Sequence, residues 1–274
     1  MAKVRIGIVA PAARLHPDTA GQVAALARDA FGDRADVVFH PQCFLSSGHF
    51  AGDDAARAAA FLEYANDPAF DALWFARGGY GSGRIAETVL AGLSPVARDK
   101  TYLGYSDGGF LLAGLYKHGF RAAHGPIPHD MRRSHGETAV KRVLSWLVDK
   151  ERSTLEPSLD GTRPAVALNL TILSMLVGTP LMPDLAGHVV MVEEVSEHLY
   201  ALDRLMFHVT STAEMRKVAG IRLGRVSDIP PNDPEFGQTP EEIVRHWCDV
   251  SGIAYLGAAD IGHDAGNKIV PFGA

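Results

Sequence analysis

Thr101-Tyr-Leu-Gly-Tyr-Ser-Asp-Gly-Gly-Phe110 is the stretch from which the rest of the chain is read. Tyr102 to Tyr105 is a short apolar run suited to a buried strand, and Phe110 to Tyr116 has the apolar content of a helix packed on one face. Ser106 falls at the joint between them. A polar residue on a tight strand-to-helix turn is presented at the open carboxyl edge of a parallel sheet, with helix N–H groups just behind it; α/β enzymes place a nucleophile there. Gly104, Gly108 and Gly109 leave room for a sharply bent backbone and for close approach of a substrate. An ordinary serine helix cap would read the same way, so the meaning of Ser106 depends on what converges on it.

Upstream, three further apolar runs share the pattern of buried parallel strands: Val4 to Ala10, Val37 to His40, and Ala72 to Phe75. A helix opening at Pro17 and Asp18, with Val23, Leu26, Ala27 and Ala30 at helical spacing, follows the first run, and an alanine-rich helix to about Asn66 follows the second. Arg77-Gly-Gly-Tyr-Gly-Ser-Gly-Arg84 follows the third and leads into a helix through Leu90. This alternation predicts a doubly wound parallel sheet with right-handed crossovers. After the helix carrying Val140, Val143, Leu144 and Leu147 the rhythm changes. Lys150 to Pro164 is polar, with two prolines and a glycine, and reads as a crossover between domains. Beyond it we expect a helix at Leu170 to Val177, strands at His188 to Val192 and Gly220 to Val226, and a helix from Leu202 to about Thr212. A capped helix starts at Thr239-Pro-Glu-Glu242, and one or two short strands lie within Ile253 to Ala274.

Composition excludes several classes. The 274 residues are 47% hydrophobic and 21% charged, as in an ordinary globular protein with a large core. Net charge is −6, and the basic runs are no longer than a pair such as Arg132-Arg133, so nucleic acid and anionic membrane are not expected partners. The apolar run at the N-terminus is short and reads as a first strand, not a signal peptide, and no stretch is long enough to span a bilayer. Cys43 and Cys248 are far apart and match no metal spacing, which suits a reducing cytoplasm.

A serine hydroxyl needs a base to take its proton and an acid to orient that base. Of the 12 histidines, His263 in Asp260-Ile-Gly-His-Asp264 and His124 before Gly125-Pro126 both sit where a strand gives way to a loop. Val189-Val-Met-Val-Glu-Glu194 puts carboxylates at the end of an apolar strand. Ser196-Glu-His198 has the right residue types, but neighbours in sequence project in different directions and cannot relay one proton. The glycine-rich turn at Arg77 to Arg84 exposes backbone N–H groups able to hold an oxyanion, and it fits neither the Walker nor the dinucleotide pattern. His124, His129-Asp130 and His135 offer a competing metal reading, without a recognised ligand spacing.

Together these stretches resemble the LD-carboxypeptidase (murein tetrapeptide carboxypeptidase) family of serine peptidases, which includes microcin C self-immunity peptidases. The resemblance is carried by Ala10-Pro11, Phe50 to Arg57, Arg77-Gly-Gly-Tyr-Gly81, Gly104-Tyr-Ser-Asp107 and His124-Gly-Pro126. It continues through Asn169-Leu170, Gly178-Thr-Pro180, Glu193-Glu194, Tyr200, Asp203-Arg204, Pro231-Asn232 and Gly262-His-Asp264. It implies a Rossmann-like N-terminal domain over 1–152 and a smaller β-rich C-terminal domain over 153–274. It also implies Ser106 as nucleophile, Glu193 as orienting acid and His263 as general base, with an oxyanion hole from the N–H groups of Asp107 and Gly79. Arg77, Tyr80 or Arg204 would meet the substrate. The implied reaction releases the terminal D-alanine of cytoplasmic muropeptide tetrapeptides through a serine acyl-enzyme, with no metal or cofactor, in a homodimer. Hydrolysis of a peptidyl or aminoacyl nucleotide conjugate is the alternative within the family, and a non-catalytic anion- or peptide-binding protein the alternative outside it. Two positions differ from the family pattern: Ala167-Leu168 stand in place of two glycines before Asn169-Leu170, and Glu194 stands where an aspartate is usual.

Overall fold

The computed structural model describes residues 3–274. Its first sheet is built from β1 (Val4–Val9), β2 (Ala35–Phe39), β3 (Ala72–Phe75), β4 (Thr101–Gly104) and β5 (Arg121–His124), all parallel. The crossovers run through α1 (Pro17–Phe31), α2 (Asp54–Asn66), α3 (Ser82–Gly92) and α4 (Gly109–Lys117). β3 is buried along its whole length and β4 over three of its four residues, which is why their sequences are continuous apolar runs without alternation. One core cluster, with Ile6, Ile8, Trp74 and Leu103, includes Val23 of α1 and also Val140 and Leu144 of α5 (Gly136–Asp149). The other, with Phe61, Phe75, Tyr102 and Leu112, continues without a break into the second half of the chain.

The second sheet is parallel as well, in the order β6 (Ala165–Asn169), β7 (Val189–Val195), β8 (Gly220–Ser227) and β9 (Tyr255–Ala258). It is accompanied by α6 (Leu170–Leu176), α7 (Leu199–Ser211) and α8 (Pro240–Ser251). The mixed α/β class expected from the sequence is found, with two corrections of detail. β6 was not among the expected strands. The last strand, β10 (Val270–Pro271), leaves the second sheet altogether and pairs antiparallel with β5, giving the order β10-β5-β4-β3-β1-β2. The chain therefore returns to the first sheet after β9, and the returning loop carries His263 toward β4 and β5.

Candidate active site

β4 delivers Tyr105 and Ser106 to the carboxyl edge of the first sheet. Gly104 and Gly108 bracket the turn because Phe75 of the neighbouring strand fills the space: a Cβ at Gly104 would lie 2.5 Å from Phe75 Cδ2, and one at Gly108 2.9 Å from it. Ser106 itself has φ +57°, in the left-handed region that costs a non-glycine residue about 1 kcal/mol or more. It starts a short 3₁₀ turn over Ser106–Gly108 that runs into α4. Such strain at a strand-to-helix turn is a known way of projecting a serine hydroxyl clear of its own backbone.

The glycine-rich turn after β3 is locked to this one by Asp107. Its buried carboxylate accepts from the N–H of Gly81 at 3.1 Å and of Ser82 at 2.8 Å, and Ser82 Oγ donates to the Asp107 carbonyl at 2.5 Å. Burial raises the Asp107 pKa, and these hydrogen bonds oppose the shift. Gly78 is thereby pressed against the serine: a Cβ there would lie 3.0 Å from Ser106 Cβ and 3.1 Å from its Oγ. The backbone N–H groups of Asp107 and Gly79 donate to no protein acceptor among the described residues. Arg57, fully buried, donates to the carbonyls of Pro11 and Gly81 (2.8 Å for Gly81) and fixes the far end of the turn.

The remaining partners arrive from the second sheet and the returning loop. His263 Nδ1 meets Glu193 Oε2 at 2.5 Å, with both side chains almost wholly buried. A carboxylate can only accept, so the proton lies on Nδ1 and Nε2 is left as an acceptor. Glu193 Oε1 has no protein partner among the described residues. The His263 ring packs on Tyr105, the residue before the serine, with ring centroids 4.7 Å apart. Tyr105 is held in turn by its hydroxyl, which donates to Asp130 at 2.8 Å. The loop is pinned from two sides. Arg225 of β8 pairs with Asp260 at 2.6 Å and with Asp264, and Asn267 Oδ1 accepts from the Gly262 N–H at 3.2 Å while meeting His124 Nε2 at 3.0 Å. Burial pushes the His124 pKa down, so this histidine stays neutral in a structural role.

Glu193 and His263 meet each other against Tyr105, and Ser106, Asp107 and Gly78 meet at the turn that begins with the next residue. No hydrogen bond joins Ser106 to His263 among the described residues. Tyr80 is 55% exposed and stands with His49 and Phe50 at the rim. Arg204 lies over the Tyr200 ring, 5.1 Å from its centroid, and Arg77 donates to the Arg14 carbonyl; neither touches the serine, glutamate or histidine. His124, His129 and His135 disperse to different surroundings, and among the described residues no group of three or more metal-ligating side chains converges. Sequence reasoning missed the cluster beside Glu193, where Glu194 accepts from Asn169 Nδ2 at 2.7 Å and from the Thr171 N–H and hydroxyl at 2.8 Å each. This buried cluster ties β6, β7 and α6 together at the end of the strand carrying Glu193. Its signals in the sequence were Asn169, the N-cap of α6, and Glu194 standing where an aspartate is usual.

Residues 6–125 match the LD-carboxypeptidase N-terminal domain, and residues 164–274 match the LD-carboxypeptidase C-terminal domain. The murein tetrapeptide carboxypeptidase of Pseudomonas aeruginosa is 28% identical over 222 residues, covering 75% of this chain and 71% of the relative. Among solved structures, a muramoyltetrapeptide carboxypeptidase from Oxalobacter formigenes superposes with a TM-score of 0.81 at 21% identity, covering 98% of this chain and 93% of the other. The microcin C7 self immunity protein MccF, in complex with aspartyl sulfamoyl adenosine, gives a TM-score of 0.81 at 17% identity, covering 100% and 92%. With both of its domains matched in order along the chain, this protein belongs to the LD-carboxypeptidase family.

Proposed function

We propose that the chain is a serine carboxypeptidase that cleaves the bond before the terminal D-alanine of muropeptide tetrapeptides, as part of cytoplasmic cell-wall recycling. The observation that carries the reading is the 2.5 Å contact between His263 and Glu193, set against the ring of Tyr105 one residue from a serine with φ +57°. Ser106 Oγ attacks the carbonyl carbon of the scissile amide while His263 Nε2 takes its proton. Glu193 holds the Nδ1 proton and stabilises the imidazolium that forms. The oxyanion is received by the N–H groups of Asp107 and Gly79, which need no reorganisation because Asp107 already ties the two turns together. His263 then gives its proton to the departing D-alanine nitrogen, and water hydrolyses the ester by the same relay. The transfer needs Ser106 Oγ within hydrogen-bond reach of His263 Nε2, a contact that tightens when substrate is bound.

The test is release of D-alanine from L-Ala-D-Glu-meso-diaminopimelate-D-Ala, followed by mass spectrometry with EDTA present, for the parent and for Ser106→Ala. Release by the parent alone is expected. Absence of release by a folded parent would defeat the muropeptide assignment, and cleavage of an aminoacyl sulfamoyl nucleoside in its place would favour the conjugate substrate. The homodimer belongs to the same reading and is checked by sedimentation at micromolar concentration, where a monomer would count against it.

A further inference from the structure

A cavity of about 420 Å³ opens beside the glycine-rich turn, between the loops that follow β1, β3 and β5. Its walls carry Arg14, Arg77 and Arg132, together with His16 and His129. None of the three guanidiniums forms an ion pair with a carboxylate among the described residues. The contrast with their neighbours is direct: Arg133 pairs with Asp130 at 2.9 Å, and Asp130 is further used by the Tyr105 hydroxyl and the Ile127 N–H. Asp18, at the start of α1, lies 3.5 Å from His16 Nδ1 and its side chain is 83% exposed; it meets none of the three guanidiniums among the described residues. Like charges crowded without a counter-ion are unfavourable unless something else supplies the negative charge.

The half-buried His129 reports that field. Its Nδ1 is sealed from solvent and has no hydrogen-bond partner among the described residues. Burial first, and then the positive charge of Arg77, push its pKa down to about 4, with Arg132 and Arg133 adding to the effect and Asp130 opposing it. Burial together with Arg132 and Arg14 lowers the Arg77 pKa in the same way. The N-terminus of α1 at Pro17 opens onto the same space and adds the positive end of its dipole.

We propose that this cavity is an oxyanion subsite that holds a carboxylate of the peptide substrate, with Arg14, Arg77 and Arg132 as its ligands. A guanidinium presents a planar fork that matches a carboxylate, and three of them select strongly for an anionic group over its amide. Arg77 is followed by Gly78, where a Cβ would lie 3.1 Å from Ser106 Oγ, so the cavity wall and the turn packed on the serine are joined by one peptide bond. The inference rests on the peptidase reading for the identity of the anion, while the cavity and its unpaired charges stand without it.

The experiment uses the intact Ser106→Ala protein and calorimetry with L-Ala-D-Glu-meso-diaminopimelate-D-Ala, with the same peptide amidated at each carboxylate in turn, and with inorganic phosphate. Arg14 and Arg132 are exposed, so Arg14→Gln/Arg132→Gln perturbs the core little. The double variant is expected to weaken binding of the acidic peptide about tenfold or more, and in the active protein the loss falls on KM. One amidated peptide should bind the parent equally weakly and be indifferent to the substitutions. Unchanged peptide affinity in the double variant overturns the proposal, as does equal binding of all the amidated peptides to the parent. Phosphate binding that disappears in the double variant while peptide binding persists assigns the cavity to a free anion and also overturns it. Should the parent fail to hydrolyse the tetrapeptide while the double variant still loses its binding, the hydrolytic reading fails and the subsite stands.

Discussion

Replacing Glu193 by glutamine removes one charge and almost no volume, so it isolates what the carboxylate does for His263. The side chain is wholly buried, with Oε2 on His263 Nδ1 at 2.5 Å and Oε1 without a protein partner. An amide has two ways to fill that place. If its oxygen faces Nδ1, its NH₂ occupies the position of Oε1, where no acceptor awaits it; an unsatisfied buried donor costs about 1–3 kcal/mol. If the NH₂ faces Nδ1, the imidazole must carry its proton on Nε2 and cannot act as a base. In either case the charge-assisted bond to the forming imidazolium is lost, a further contribution of about 1.5–3 kcal/mol. That loss alone corresponds to a fall in kcat/KM of about one to two decades at about 1.4 kcal/mol per decade, whereas the cost of the unsatisfied amide falls on the stability of the fold. The assay is D-alanine release by Glu193→Gln beside the parent, with thermal unfolding of both. We expect the variant to stay folded and to melt somewhat below the parent, by the cost of the unsatisfied amide, since no cavity is made. A decrease of less than about threefold in a folded variant would refute the reasoning, because it would mean that nothing in catalysis uses the Glu193 charge.

Three other outcomes follow from the same contacts. Gly78→Ala would place a Cβ 3.0 Å from Ser106 Cβ and 3.1 Å from Oγ, so D-alanine release should fall about tenfold or more while urea stability changes little; retained activity would show that the close approach of Gly78 to Ser106 is not used in the reaction. Gly104→Ala would drive a Cβ to 2.5 Å from Phe75 Cδ2 inside a filled core, and we expect a loss of about 1–3 kcal/mol in urea unfolding, with no loss if the turn can move away. His129 stays neutral in the fold down to about pH 4 against an ordinary value of 6.5, so between those values the unfolded chain binds the extra proton and stability falls as pH falls. Comparing unfolding midpoints at pH 7 and pH 5, His129→Gln should lose less stability on acidification than the parent; equal losses would contradict the assignment.

The parts of this protein that could be read before its structure were those whose signal is local. β1, β3 and β4 are short apolar runs because they are buried on both faces, and Ser106 stands out because glycines must flank a turn pressed on Phe75. Long-range placement left no such trace. β10 is two residues long and pairs with a strand more than half the chain away, so nothing in Val270-Pro271 announces it. β6 escaped notice because Ala165, Val166 and Ala167 form a weakly apolar run closely followed by a helix cap at Asn169. Glu193 and His263 were reached through the family pattern, since their partnership depends on two separate elements meeting behind Tyr105. Glu194 shows what the longer side chain accomplishes at a position usually held by aspartate: it spans to Asn169 and Thr171 and closes the end of β7. Arg57 and Asp107 illustrate a further limit, because a buried arginine and a buried aspartate look like surface residues until the backbone groups they satisfy are seen.

The central claim is that Ser106 becomes acylated by the peptide it cleaves. The most direct measurement is intact-protein mass spectrometry after rapid acid quenching of the enzyme with the tetrapeptide, followed by peptide mapping. The account predicts a transient mass increase equal to the tripeptide acyl group, located on Ser106 and absent from Ser106→Ala. D-alanine release that continues in Ser106→Ala, or an acyl group mapped to another residue, would contradict it.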